Sequence, residues 1–176
     1  MSEFTQKSAQ DHDRLAPDDA LAQQRKPVVF VLENIRSGNN VGSVLRTADG
    51  FVLEAVVMTG YTPCPPHREI LKTSLGAESS VPWQQAEDLK ACLDSFRQNN
   101  YRITALEQTS NSTMLDDYDP TKYAGTVVIL GNEVRGVSAE TLALIDEVIE
   151  IPQGGAKQSF NVSVAAGVVA WALTRG

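Results

Sequence analysis

The segment spanning residues 149–175, IEIPQGGAKQSFNVSVAAGVVAWALTR, sets the tightest limit on what this chain can fold into. Residues 162–173 are apolar on every side of a helix, so that stretch has no solvent face and needs cover around its whole circumference, from a core or from a partner subunit. Ser163 and Gly167 interrupt the run, which is too short to span a bilayer, and no membrane helix is expected. Just before it, Gly154 and Gly155 make a loop whose backbone a ligand can approach closely, with Lys157, Ser159 and Asn161 beside it. Pattern alone leaves the junction open: Phe160, Val162 and Val164 alternate like a strand, while residues 165–173 are alanine-rich like a helix.

The rest of the chain offers a sheet core as one source of that cover. VVFVL at residues 28–32 and TVVIL at 126–130 are continuous β-branched runs of the kind buried on both faces of a parallel sheet. Further strands are expected at 55–59, 102–106 and 148–151. Val44, Leu45, Ala48 and Phe51 recur at helical spacing behind Asn40, a good N-cap. Residues 67–75 read as a short helix, 84–98 as an amphipathic helix with Leu89, Leu93 and Phe96 on one face, and 138–145 as another helix. Strands alternating with helices in this order define an α/β fold with a mainly parallel sheet and helices on both faces.

At 176 residues, 42% hydrophobic and 21% charged, the chain fits one globular domain, assigned to residues 27–176. Residues 1–26 are polar, carry mixed charges and Pro17, and are expected to form an unpacked leader, with 18–25 compatible with a short helix. That leader lacks the apolar centre of a secretory signal, which points to a cytoplasmic protein. Two cysteines, Cys64 and Cys92, lie too far apart for a zinc-type motif, so no metal is expected. The net charge of −7 repels phosphate backbones on average, so any RNA contact must come from a local patch.

Ligands of open α/β sheets bind beyond the carboxyl ends of strands. Three polar clusters follow strands here: Glu33, Asn34, Arg36, Asn40 and Arg46; then Gly131, Asn132, Glu133, Arg135 and Gly136; then Gln153, Gly154, Gly155, Lys157, Ser159 and Asn161. One pocket can collect all three. Nucleotide fingerprints fail: GNEVRG is followed by Val137 and Ser138 where a phosphate-binding loop needs Lys and Ser or Thr, and no GxGxxG follows a strand. Only His12 and His67 are available for a nucleophile triad.

NNVGSVLRTA at 39–48, ILGNEVRGVS at 129–138 and IPQGGAKQSFNVSVA at 151–165 resemble, in order and spacing, the three motifs of the SpoU (TrmH-like) RNA ribose 2′-O-methyltransferases of the SPOUT superfamily. KTSLGAE at 72–78 also resembles a segment common in that family. The resemblance implies an α/β fold with a deep C-terminal trefoil knot and S-adenosylmethionine bent into the knotted pocket. It implies methyl-donor contacts at Leu106, Gly131, Ile151, Ser159 and Phe160, and RNA-facing or catalytic roles for Asn40, Arg46, Glu133, Ser159 and Asn161. It also implies a tRNA or rRNA substrate and a homodimer in which Arg46 of one chain faces the other chain's donor pocket. Gln153 stands where the family has Met, Phe160 where it has Leu, and Ser37-Gly38-Asn39-Asn40 where it has Asn-Pro-Gly-Asn. Many relatives carry an N-terminal RNA-binding domain; here target capture is expected to rest on the dimer or the leader.

The residues themselves leave alternatives. Asn40 serves as a helix cap, as an orienter of Arg46 and RNA, or both; Glu133 caps a turn or fixes Asn40; Ser159 and Asn161 cap the last helix or hold the donor. Lys157 is a phosphate contact or a solvated lysine. A guanidinium stays charged at neutral pH, so Arg46 suits a clamp on phosphate or ribose oxygen that becomes a base only in the assembled site. The competing reading is a non-catalytic dimeric RNA-binding or assembly factor that kept the fold.

Overall fold

Strands that are apolar at every position need a layer on each face, and alternation within the first strand meets that need. In the computed structural model, which describes residues 15–156 and 159–175, β1 (Lys26–Glu33) sends Val28, Phe30 and Leu32 into one core and Val29 and Val31 into another. The other strands are β2 (Leu53–Thr59), β3 (Trp83–Ala86), β4 (Tyr101–Leu106), β5 (Thr113–Met114), β6 (Gly125–Leu130) and β7 (Glu147–Glu150). They form a seven-stranded sheet in the order β3-β2-β1-β6-β4-β7-β5, with every pairing parallel. Phe30 pairs in register with Val56 on one side and Val128 on the other, so the longest apolar runs sit at mid-sheet.

The helices divide between the faces as expected. α2 (Gly38–Gly50), α3 (Arg68–Ser74) and α6 (Val162–Thr174) contribute Val44, Leu45, Ile70, Ala166 and Val169 to the core around Phe30 and Leu32. α4 (Leu89–Gln98) and α5 (Ala139–Leu142) cover the opposite face, with Leu93 fully buried against Val29, Val31 and Ile103. α2 and α3 meet at glycine distance: a Cβ on Gly42 would lie 2.2 Å from Thr73 Oγ1 and 2.4 Å from the Ile70 carbonyl.

Several boundaries differ from the sequence reading. α2 is capped by Ser37, whose hydroxyl accepts from the Asn40 amide, and Asn40 lies inside the first turn instead of capping it. Residues 84–98 are not one helix: β3 occupies 83–86 as a partly exposed edge, and Asp88 caps α4 by accepting from the Ala91 amide at 2.9 Å. α5 is a single turn behind its cap Ser138, and two-residue β5 had no readable pattern.

Residues 15–26 are exposed for the most part and touch the domain at two points. α1 (Pro17–Ala22) buries Ala20, and Arg25 donates to the carbonyls of Ala20, Leu53 and Ser80 at 2.6, 3.0 and 2.7 Å. Residues 1–14, including His12, lie outside the described residues. Within the chain α6 is covered on one side alone. It buries Ala165, Ala166, Val169 and Ala170 and leaves Val164, Val168 and Trp171 exposed along the opposite side. No helix among the described residues is long and apolar enough to cross a membrane.

Candidate active site

Parallel register lines up the carboxyl ends of the central strands: Leu32 pairs with Leu130, Leu130 with Leu106, and Leu106 with Ile149. Their successors Glu33, Gly131, Glu107 and Glu150 therefore begin the site on one edge. The loop after β6 is folded back on itself, with Asn132 and Gly136 exchanging backbone hydrogen bonds at 2.9 and 3.0 Å. Only glycine fits at its base, because a Cβ on Gly131 would lie 2.2 Å from the Gly136 carbonyl carbon and 2.3 Å from the Val137 nitrogen. Asn132 is buried and holds the loop to β1: its amide donates to the Asn34 carbonyl at 2.8 Å and its carbonyl accepts from the amides of Val134 and Arg135.

Two carboxylates brace this edge. Buried Glu33 accepts from the hydroxyls of Ser138 and Thr141, both at 2.6 Å, and from the Ser138 amide, which fixes the start of α5. Glu107 accepts from the Val137 amide at 3.1 Å and approaches Gly136, where φ is 68° and a Cβ would meet its carboxylate at 2.2 Å. Sequence reading placed Glu33 among the clustered polar residues and missed Glu107, a lone acid whose only signal is its position just after a strand.

The three motif segments meet through side chains. Glu133 accepts from the amides of Arg36 and Ser37 at 3.0 and 3.1 Å and from the Asn40 side-chain amide at 2.9 Å. The Asn40 side-chain carbonyl accepts from the Asn161 amide at 3.2 Å, and Asn161 caps α6 by accepting from the Ser163 amide at 2.9 Å. Asn161 is thus a cap and a link at once. Partial burial pushes the Glu133 carboxyl up, but donors from Arg36, Asn40 and Ser37 outweigh it and hold the group below its ordinary value.

Beneath this bridge lies a cavity of about 690 Å³. Leu106, Gly131, Ile151, Ser159 and Phe160 all line it, and so do Glu133 and Asn161. Its size is that of a small-molecule site, with apolar walls from Leu106, Leu130, Ile151, Val162 and Ala165 and the Glu107 carboxylate as a polar group. Glycine backbone at the base of the loop, apolar walls and a fixed acid fit a small molecule with both apolar and polar parts. Arg46 is elsewhere: it is exposed on α2 and lines a separate groove with Ser43, Thr47 and Lys72. Of the expected site residues, Leu106, Gly131, Glu133, Ile151, Ser159, Phe160 and Asn161 line the cavity, Asn40 lies outside its lining and is tied to it through Glu133 and Asn161, and Arg46 is remote. Lys157 lies outside the described residues.

Fold and cavity together define an all-parallel α/β protein with a cavity at the carboxyl ends of its strands, lined in part by the described residues that lead into the last helix. The chain belongs to the SpoU rRNA Methylase family, whose model matches residues 27–171. A protein of Mycolicibacterium smegmatis described as an uncharacterized tRNA/rRNA methyltransferase is 34% identical over 163 residues, 90% of this chain and 51% of that protein. A Synechocystis protein of like description is 31% identical over 148 residues, 83% of this chain and 52% of its own length. The chain thus spans about half the length of these curated relatives. Among solved structures, an AdoMet-bound rRNA methyltransferase from Sinorhizobium meliloti superimposes with a TM-score of 0.79 at 23% identity, over 92% of this chain and 61% of that one. The A. aeolicus TrmH/SpoU tRNA modifying enzyme gives 0.79 at 24% identity, over 90% and 79%. Both likenesses show the fold.

Proposed function

We propose that this chain transfers a methyl group from S-adenosylmethionine to a ribose 2′-hydroxyl of tRNA or rRNA, acting as a homodimer in the cytoplasm. The observation that carries the proposal is the bridge from Glu133 through Asn40 to Asn161. It ties the family's three motif segments together at the mouth of a cavity lined by every expected donor contact. The bound donor supplies an electrophilic methyl on a sulfonium. The residues of the chain do the rest.

Leu106, Gly131, Ile151, Ser159 and Phe160 hold the donor. Asn40, Glu133, Ser159 and Asn161 keep the cavity mouth in one geometry, so that the hydroxyl enters on a fixed line. Such positioning can remove about 7–11 kcal/mol of barrier in favourable cases. The donor would give that methyl to the ribose oxygen and be left as the neutral thioether, with the hydroxyl proton passing to solvent. Arg46 enters from the second copy, where its guanidinium clamps a phosphate or ribose oxygen and offsets charge developing on the oxygen. The exposed apolar stripe of Val164, Val168 and Trp171 supports a second copy seated on α6. The reading carries with it the threaded, knotted course of the C-terminal segment that the family resemblance implies.

Calorimetric titration with S-adenosylmethionine, followed by transfer of a tritiated methyl group to bulk RNA, tests the reading. Saturable donor binding with RNA-dependent transfer is expected. Binding of RNA without donor binding or transfer would replace it with the non-catalytic RNA factor.

A further inference from the structure

The KTSLGAE segment at 72–78 has no part in the cavity, yet it places Lys72 in one groove with Arg46. The groove, about 600 Å³, lies between α2 and α3, which are held at fixed spacing: Gly42 leaves room for Thr73, and the Thr73 hydroxyl donates to the Asn39 carbonyl at 2.9 Å. The two cations therefore sit on a rigid pair of helices. No acidic side chain lines the groove, and neither Arg46 nor Lys72 joins an ion pair among the described residues. In a chain of net charge −7, two unpaired cations on acid-free walls are a local reversal of the field.

The remaining lining narrows the ligand. Hydroxyls of Ser43 and Thr73 are both used by the Asn39 carbonyl, which leaves Arg46, Lys72 and Thr47 to donate outward. Leu75 ends α3 in the left-handed conformation, φ 51°, with its side chain 67% exposed at the groove. A leucine in that conformation is uncommon, and its open apolar surface beside two cations suits the sugar or base attached to a phosphate.

We propose that this groove is an RNA phosphate subsite in which Lys72 and Arg46 share one phosphate group while Leu75 packs against the adjoining nucleoside. The proposal rests on the RNA-methylating reading above and assigns Lys72 as a positioning residue that sets the register of the RNA strand. Phosphate contacts of this kind carry no sequence information, so the effect extends to any RNA strand.

Lys72→Ala, Lys72→Arg and, as a charge-matched control on the other face of the sheet, Lys90→Ala test it. Affinity is read by fluorescence anisotropy on labelled bulk transfer RNA and on a mixed-sequence single-stranded RNA across a salt series. Lys72→Ala is expected to weaken binding to both by about fivefold and to flatten the slope of log affinity against log salt, by less than the roughly 0.7–0.9 of a whole phosphate contact because Arg46 still holds the group. KM for RNA should rise with kcat unchanged, donor affinity and Tm should hold, and Lys72→Arg should keep the wild-type slope. An unchanged slope in Lys72→Ala, or an equal flattening in Lys90→Ala, overturns the subsite while wild-type methyl transfer leaves the activity reading standing. Wild-type protein that binds no RNA overturns both.

Discussion

The Asn161 side-chain amide donates to the Asn40 side-chain carbonyl across 3.2 Å, joining residues 121 positions apart in the chain. Because the Asn40 amide is committed to Glu133, its carbonyl must face Asn161, and only an amide at position 40 satisfies both partners. Asn40→Ala is expected to lower kcat by about tenfold or more, the worth of roughly 1.4 kcal/mol of lost positioning, with donor affinity little changed. Asn40→Asp should be worse, because it sets a carboxylate against Glu133. Single-turnover transfer alongside donor titration checks both.

Glu133 gives the bridge a pH signature. Its carboxyl is held below the ordinary value in the folded chain, so its contribution to stability is fully present above the unfolded carboxylate pKa and is lost as pH falls through the folded one. Wild-type Tm should therefore decline through the acid range by more than that of Glu133→Gln, which has no charge to lose. At neutral pH Glu133→Gln should be less stable by about 1 kcal/mol, since its amide cannot accept as strongly from the amides of Arg36 and Ser37. Parallel acid-range melts of the two proteins compare the slopes.

Gly131 is the position where one methyl group does the most local damage. A Cβ there would overlap the backbone of Gly136 and Val137, neither of which is the free end of a side chain. Gly131→Ala is expected to cost about 1–3 kcal/mol by forcing the loop apart and to abolish detectable donor binding. A denaturant melt with a donor titration reads the two effects separately. Gly50→Ala, at the end of α2 and away from the cavity, where no described atom lies within 4 Å of the added carbon, serves as the tolerated control.

The apolar stripe on α6 and the remote Arg46 lead to one paired expectation. Val168→Glu should turn a dimer into a monomer in light scattering, because it sets a charge in the middle of the stripe. Arg46→Ala and Asn161→Ala should each lose activity, and mixing the two should restore about a quarter of it, since half the dimers are hybrids and each hybrid holds one intact site. No restoration would place Arg46 outside the partner's site.

Much of this molecule was readable from its residues, for reasons that differ by element. β1 and β6 announced themselves because a strand buried on both faces has no polar position to confuse the pattern. Whether Asn40 caps the helix stays open in the sequence because Ser37 and Asn40 are both good capping residues; what separates them is that Ser37 caps α2 while Asn40 spends its side chain on Glu133 and Asn161, distant in sequence. β3 was absorbed into a helix because its half-exposed edge, WQQA, lacks the apolar alternation of an interior strand. Glu107 was invisible because a single acid has no spacing to read. The open face of α6 could not be foreseen either, since a helix apolar all round does not say which side its own chain covers.

The most direct test of the proposed chemistry is where the methyl group ends. Bulk RNA treated with the protein and isotopically labelled S-adenosylmethionine is digested to nucleosides and resolved by mass spectrometry. Label confined to 2′-O-methylnucleosides is the expected result. Label on a base, or none above the Arg46→Ala background, would contradict it.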